Sequence, residues 1–199
     1  ESAAGKSRNW ALTVFGILGG ALIGLGIILL LAHNWADMSR GLRTALAFAP
    51  LTVALILAGW VLRTGKTASA WRETIGIFWM LSIGAAIALV AQTYHLPGDA
   101  GRFALTWMLL SLPVVYLLDA TGPALAYLAG LTFWTIDAQE GGGPALLFWP
   151  LAALILPHAA AAARANVYAA RPVVLFWGLT LALCIAIGVT LEKVLPGLW

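Results

Sequence analysis

The chain consists of long uncharged stretches separated by short polar turns. Seven stretches carry no Lys, Arg, Asp or Glu, and each is near or above the roughly 17–25 residues that cross hydrocarbon as a helix. They are continuously apolar, without the alternation of polar and apolar positions that a membrane β-barrel requires. We therefore predict an all-α fold, a polytopic transmembrane helical bundle that forms a single domain over residues 1–199. The seven helices are expected at about residues 10–32, 44–62, 74–93, 103–118, 123–138, 144–160 and 172–191.

The composition supports a chain that lies in a lipid bilayer. Hydrophobic residues make up 62% of the chain and charged residues 10%, with a mean hydropathy of +0.93. Soluble globular chains contain about 45–50% and 25% of these residues. So little charge argues against a disordered, coiled-coil or nucleic-acid-binding protein. The single cysteine, Cys184, excludes an intrachain disulfide.

The distribution of basic residues predicts the orientation in the membrane. Cytoplasmic connections of inner-membrane proteins carry an excess of Lys and Arg. With seven crossings, the larger share of basic residues falls on the N-terminal side. We therefore expect a bacterial inner-membrane protein with a cytoplasmic N-terminus and a periplasmic C-terminus. The N-terminal side holds Lys6, Arg8, Arg63, Lys66, Arg72, Arg164 and Arg171, and the opposite side holds Arg40, Arg43, Arg102 and Lys193.

An internal similarity relates the first two predicted hairpins. A shift of 59 positions aligns Trp35 with Tyr94 and Arg43 with Arg102. Two crossings per unit would make this a parallel two-helix repeat; the alternative is chance similarity between apolar sequences. Under either interpretation, the first, third and fifth helices end in polar turns on one predicted outer face.

These turns contain the candidate ligand-binding residues. Polar side chains that converge at the mouth of a bundle are typical of a binding pocket. We expect such a mouth to bind a small polar ligand, a lipid headgroup or a partner protein. The alternative is that the same side chains cap helix ends, with Arg43 or Arg102 pairing with Asp37 or Asp99. The candidate residues are His33, Trp35, Asp37, Arg43, Tyr94, His95, Asp99 and Arg102.

Small residues recur at four-residue spacing on the first helix, at Gly16, Gly20 and Gly24. Such a stripe lets two helix backbones approach closely in lipid. It predicts helix packing inside the bundle or, alternatively, a seam with a second copy or with another membrane protein. Gly178, Ala182 and Ala186 form a similar stripe on the seventh helix.

The chemistry that the sequence offers is sparse, and we expect no catalytic residue, metal or cofactor. Three histidines occur, but the predicted topology puts His158 on the opposite surface from His33 and His95. No ionisable side chain lies in the middle of a crossing, which speaks against a proton pump or ion-coupled carrier. The alternative enzymatic hypothesis is an intramembrane hydrolase or transferase that uses His95 and Asp99. A non-catalytic binding protein is favoured, with an accessory subunit of a membrane complex as a third hypothesis.

The segment from Gly16 to Leu51 resembles a bacterial family of predicted membrane proteins, domain of unknown function 2157. The resemblance depends on a glycine-rich first helix, an aliphatic run, the motif Ala-x-Asn-Trp and a short turn into the next helix; Gln92 to Arg102 fits the same family. It implies a multi-pass membrane protein and brings no activity with it. Members often carry a short cytoplasmic helical segment before the first crossing, so this chain is expected to be a truncated core.

Overall fold

The structure, a computed structural model, describes residues 33–65 and 69–194. These residues form helices and turns, with no strand among them, and five of their helical segments are long and apolar enough to cross a membrane. The helix predicted over residues 10–32, including Gly16, Gly20 and Gly24, lies outside the described residues. Seven crossings and the two-helix repeat therefore stay predictions.

The chain divides into two compact units, residues 1–43 and 44–199, and each is described by itself. Among the described residues of the first unit, a 3-10 turn over Trp35–Asp37 precedes the start of helix α1, Arg40–Arg63. Ser39 precedes this helix, and its hydroxyl oxygen accepts a hydrogen bond from the Leu42 amide at 3.3 Å. A serine in this position satisfies one of the unpaired amides of the first helical turn, so the polar segment ends where the apolar helix begins.

The second unit contains the remainder of α1 and the helices that follow it. A short 3-10 turn, Ala145–Leu147, leads into α5. The segment Ala145–Ala165 is long and apolar enough to form one crossing, although it contains two helices. The helices are α2 Ser69–Tyr94, α3 Ala100–Leu118, α4 Thr121–Glu140, α5 Phe148–Ala153, α6 Leu156–Ala165 and α7 Ala170–Val194.

The break between α5 and α6 interrupts the single helix predicted over 144–160, in which Pro150 and Pro157 predict a kink. Pro157 lies in the first turn of α6, where its missing amide cannot continue the hydrogen bonds of the preceding helix. Two tyrosines cover the carbonyl groups at the break. The hydroxyl of Tyr127 donates to the Leu151 carbonyl at 3.0 Å, and the hydroxyl of Tyr116 donates to the Leu154 carbonyl. Side chains of the protein therefore satisfy the Leu151 and Leu154 carbonyls at this break, as a non-aqueous environment requires.

Helix α4 lies at the centre of the second unit and packs against α2, α3, α5 and α7. Its side chains Tyr127, Leu128 and Leu131 are all buried. Among the long helices of the described part, α4 is not one of the five that are apolar enough to qualify as a candidate span. Twenty residues of helix are about 30 Å long, and protein surrounds much of this length. Its lower hydropathy follows from this, because a helix enclosed by other helices does not face lipid.

Small residues hold the helices close together. A Cβ added to Gly84 on α2 would lie 2.5 Å from the Trp107 ring, and the Trp107 indole donates to the Met80 carbonyl at 2.7 Å. On α7, a Cβ at Gly178 would lie 2.4 Å from Leu125 of α4, and Ala182 and Ala186 are buried. The small-residue stripe of α7 thus packs within the bundle, as dispersion between close backbones favours.

Candidate functional site

The turn between α2 and α3 carries four of the candidate ligand-binding residues. His95 has a φ of +51°, and the Leu96 amide donates to the Ala91 carbonyl at 3.0 Å. This arrangement ends a helix with a left-handed residue, a position that usually favours glycine. Tyr94, His95, Asp99 and Arg102 are all exposed. The sequence therefore places a strained, accessible histidine at this end of α2.

Asp99 caps α3 and pairs with Arg102 in the same turn. The Asp99 Oδ1 atom accepts the Arg102 amide at 2.6 Å, and Arg102 Nε lies 3.0 Å from Asp99 Oδ2. The side chains of Asp99 and Arg102 are 54% and 85% exposed. The capping alternative is therefore realised for this pair, while most of the Arg102 side chain remains accessible.

Two further groups of the second unit approach this turn. The hydroxyls of Tyr94 and Thr44 lie 3.3 Å apart, which brings the end of α2 to α1. The Asp137 carboxylate of α4 packs against Gly101, where an added Cβ would lie 1.9 Å from Asp137 Oδ2. The turn of residues 94–102, together with Thr44 and Asp137, forms the polar end that we call the mouth cluster.

The other four candidate residues belong to the first unit. His33 and Asp37 are exposed, whereas Trp35 and Arg43 are partly buried. The Arg43 guanidinium carbon lies 5.8 Å from the centroid of the Trp35 ring, within the range of a cation–π interaction. The two sets of candidate residues lie in separate units, so their convergence on one cavity stays a prediction.

At the other end of the second unit, charged side chains connect different helices. Glu73 of α2 accepts the first amides of α4: its Oε1 lies 2.7 Å from the Thr121 amide and its Oε2 lies 2.7 Å from the Gly122 amide. A carboxylate is favourable there because a helix N-terminus presents unpaired N–H groups and a partial positive charge. Glu73 therefore fixes α4 to α2.

Arg171 of α7 joins the same end to α3. It donates to both carboxylate oxygens of Asp119, at 2.5 and 2.8 Å, and to the Asp119 carbonyl at 2.7 Å. Its Nε donates to the Thr121 hydroxyl at 3.1 Å. The hydrogen bond from Arg171 is the largest cause that lowers the pKa of Asp119 below its usual value, because it stabilises the charged carboxylate.

His158 of α6 completes this group of charged residues. Its side chain is 2% exposed, its Nδ1 lies 3.6 Å from Asp119 Oδ1, and its Nε2 lies 3.4 Å from the Arg171 guanidinium. A guanidinium is solely a donor, so the ring nitrogen beside it is an acceptor. Glu73, Asp119, His158 and Arg171 thus connect α2, α3, α4, α6 and α7. We call these four residues the interhelical charge cluster.

The interhelical charge cluster was not predicted from the sequence. Arg171 and Arg72 contributed to the predicted orientation, and the predicted position of His158 argued against a three-histidine site. A signal was nevertheless present: Glu73 and Asp119 are the acidic residues that the predicted topology places beside those arginines. An arginine near hydrocarbon requires a partner or access to the interface, which points to these two carboxylates.

In the described part of the chain, no three His, Cys, Asp or Glu side chains lie close enough together to hold a metal ion. Glu73 and His95 are 22 positions apart along α2 and the turn that ends it, which corresponds to about 33 Å along a helix. His158 lies at the Glu73 end of the second unit, so His95 and His158 are too far apart to bind the same metal ion.

Comparison with known proteins supports the resemblance noted in the sequence. No curated protein and no solved structure matches this chain. Residues 1–124 match the family described as Predicted membrane protein (DUF2157), which is more than half of the 199 residues. The chain therefore belongs to the predicted membrane protein family DUF2157, and its helices long enough to cross a bilayer agree with that description.

Proposed function

We propose that this protein is a non-enzymatic, multi-pass protein of the bacterial inner membrane that binds a small polar or lipid-headgroup ligand at a periplasmic mouth. The mouth cluster carries this proposal; that His33, Trp35, Asp37 and Arg43 belong to the same mouth is predicted from the sequence. The family match and the five membrane-compatible segments support the membrane part of this proposal.

The observation that carries the ligand-binding proposal is the accessibility of Arg102. Its side chain is 85% exposed and pairs with Asp99 of its own turn. Arg171, by contrast, is 33% exposed and holds α7 against α3 and α4. An arginine engaged between helices cannot release its partner without loosening the bundle. Arg102 can bind an anionic group while Asp99 keeps its hydrogen bond to the helix amide.

The distribution of basic residues along the whole sequence supports the proposed orientation. Arg63 ends α1, Arg72 lies in the first turn of α2, Arg164 ends α6 and Arg171 begins α7. Antiparallel neighbours put these four positions at one end of the bundle. The predicted topology adds Lys6, Arg8 and Lys66 to this end, against Arg40, Arg43, Arg102 and Lys193 at the other. This excess of basic residues is typical of the cytoplasmic side, so we assign the mouth cluster to the periplasm. Association with a second copy or another membrane protein through Gly16, Gly20 and Gly24 is a separate part of the proposal.

The ligand-binding proposal is tested with glycerol phosphate, a soluble probe that carries the phosphate of a lipid headgroup. The purified full chain in detergent is heated with millimolar glycerol phosphate, and the shift in Tm is measured for the wild type, Arg102→Gln and Asp99→Asn. We expect a shift for the wild type that is lost in Arg102→Gln. Asp99→Asn preserves the helix cap, because asparagine also caps helices well. It removes the carboxylate charge that competes for Arg102, so it should retain or increase the shift in Tm.

Arg164→Gln is the matched control, since Arg164 is also exposed but lies at the other end of the second unit. It should leave the shift unchanged. No shift for the wild type, or an equal shift for Arg102→Gln, would overturn the proposed anion-binding role of the mouth.

A further inference from the structure

A groove runs along the last two turns of α1, at the end opposite the mouth cluster. It has a volume of about 510 Å³, within the range of 300–1,000 Å³ that is usual for ligand sites. Apolar residues form its length and polar residues form its end. The lining residues are Leu55, Ile56, Gly59, Trp60, Arg63 and Thr64.

The apolar part of this α1 groove has room for a hydrocarbon chain. Gly59 faces open space, because a Cβ added there would meet nothing within 4 Å. Leu55 and Ile56 precede it by one turn and are 48% and 66% exposed. Residues three, four and eight apart lie on one face of a helix. From Leu55 to Arg63 this face extends about 12 Å, which is long enough to contact a substantial part of one acyl chain.

One wall of the α1 groove is held in place by aromatic packing. The rings of Trp60 and Trp71 are 5.8 Å apart in an edge-to-face arrangement, a geometry that aromatic quadrupoles favour. Trp71 belongs to α2, so the wall is supported from a second helix. Tryptophan is typical of the headgroup level of a bilayer, which places the polar end of the groove beside lipid phosphates.

The polar end is positive. Arg63 is exposed, and no carboxylate within residues 33–65 and 69–194 forms an ion pair with it. The helix C-terminus carries about half a negative charge. The amide and the hydroxyl of Thr64 both donate to the Trp60 carbonyl, at 2.9 and 2.7 Å, which partly neutralises it. A full guanidinium charge therefore dominates, and its planar fork matches phosphate oxygens.

We infer that the α1 groove is a binding site for one anionic phospholipid. Arg63 binds the headgroup phosphate, and an acyl chain lies over Gly59 between the exposed Leu55 and Ile56 side chains. The occupant is a lipid of the surrounding leaflet, because α1 is long and apolar enough to cross a bilayer and its groove pairs a positive rim with an apolar floor. This site is separate from the mouth and does not depend on the proposed function.

The test is native mass spectrometry of the purified full chain, titrated with phosphatidylglycerol or with phosphatidylcholine of the same acyl composition. The wild type should retain one phosphatidylglycerol in preference to phosphatidylcholine. Arg63→Gln should weaken retention about fivefold, the effect of about one basic residue on an anionic lipid. Gly59→Leu fills the floor and keeps the charge, and it should weaken retention of both lipids.

Two matched variants distinguish the site from general effects of charge and bulk. Arg164→Gln removes an exposed arginine outside the groove, and Gly188→Leu adds the same side chain at an open glycine of α7. Both should behave as the wild type. Equal retention of the two lipids, equal losses in Arg63→Gln and Arg164→Gln, or a loss confined to Arg102→Gln would overturn the assignment.

Discussion

Arg171 donates hydrogen bonds to both carboxylate oxygens and to the backbone carbonyl of Asp119, and so connects the start of α7 to the end of α3. Asp119 itself has a φ of +51°, a left-handed conformation that ends α3 and turns the chain sharply into α4. The pair therefore stabilises a turn and an interhelical contact together. Through this pair, the short turn between α3 and α4 also holds α7 at this end of the bundle.

The first prediction concerns Arg171. Arg171→Gln removes the charged, two-pronged hydrogen bond to Asp119 and should lower the free energy of unfolding by about 1–2 kcal/mol, a value discounted because Asp119 is half exposed. Arg171→Lys keeps the positive charge but lacks the planar guanidinium, so its free energy of unfolding should lie between those of the wild type and Arg171→Gln. The measurement is reversible unfolding in mixed detergent micelles. Arg102→Gln is the matched control, with an expected change below about 0.5 kcal/mol because its pair is exposed; equal losses in both variants would contradict the assignment.

The second prediction concerns pH. The Arg171 hydrogen bond keeps the pKa of Asp119 below its usual value, so the folded protein binds fewer protons than the unfolded chain in that range. The stabilisation from Asp119 is complete above about pH 3.9, the pKa of an unfolded Asp, and is lost as the pH falls through the lower folded pKa. Below pH 4 the Tm of the wild type should fall more steeply than that of Asp119→Asn. Parallel pH profiles for the two proteins would show that Asp119 is not stabilised as a carboxylate.

The third prediction concerns the capping of α4 by Glu73. Glutamine has one carbonyl oxygen where glutamate has two equivalent oxygens, so Glu73→Gln leaves one of the two amides, Thr121 or Gly122, facing an NH₂ group. We expect a loss of about 1–2 kcal/mol and faster hydrogen exchange in the first turn of α4. Glu140→Gln, at the exposed end of the same helix, is the control. If Glu73→Gln exchanges as slowly as the wild type, the carboxylate does not cap the helix.

The fourth prediction concerns the close approach of Asp137 to Gly101. A Cβ at residue 101 would overlap the Asp137 carboxylate, so Gly101→Ala must displace that side chain and should lower stability by about 1–3 kcal/mol. Gly98→Ala in the same turn meets nothing within 4 Å and should be neutral or slightly stabilising, because alanine restricts the unfolded chain. Thermal unfolding of both variants provides the comparison. A neutral Gly101→Ala would mean that the Asp137 carboxylate does not pack against Gly101.

The sequence predicted the helical, membrane-embedded character of the chain, because the length of each uncharged segment can be read directly from consecutive residues. It also anticipated that Arg102 and Asp99 could pair, since they are three residues apart. The pairing of Arg171 with Asp119 joins residues 52 positions apart, and no local pattern specifies which helices become neighbours. Pro150 and Pro157 predict a kink in the sixth helix, but the extent of the break near Leu154 depends on neighbouring helices. The tyrosines that make a broken helix tolerable come from α3 and α4.

The most direct test of the proposed mouth is cysteine labelling from the two sides of the membrane. Cys184 is the single native cysteine and is first replaced by serine. His33→Cys, His95→Cys and Tyr168→Cys are then treated in intact cells with a membrane-impermeant maleimide; Tyr168 is 91% exposed and lies between α6 and α7. Positions 33 and 95 should react in intact cells, and position 168 should react only after permeabilisation. Labelling of positions 33 and 95 from different sides, or of position 168 from the same side as position 95, would contradict the proposed mouth.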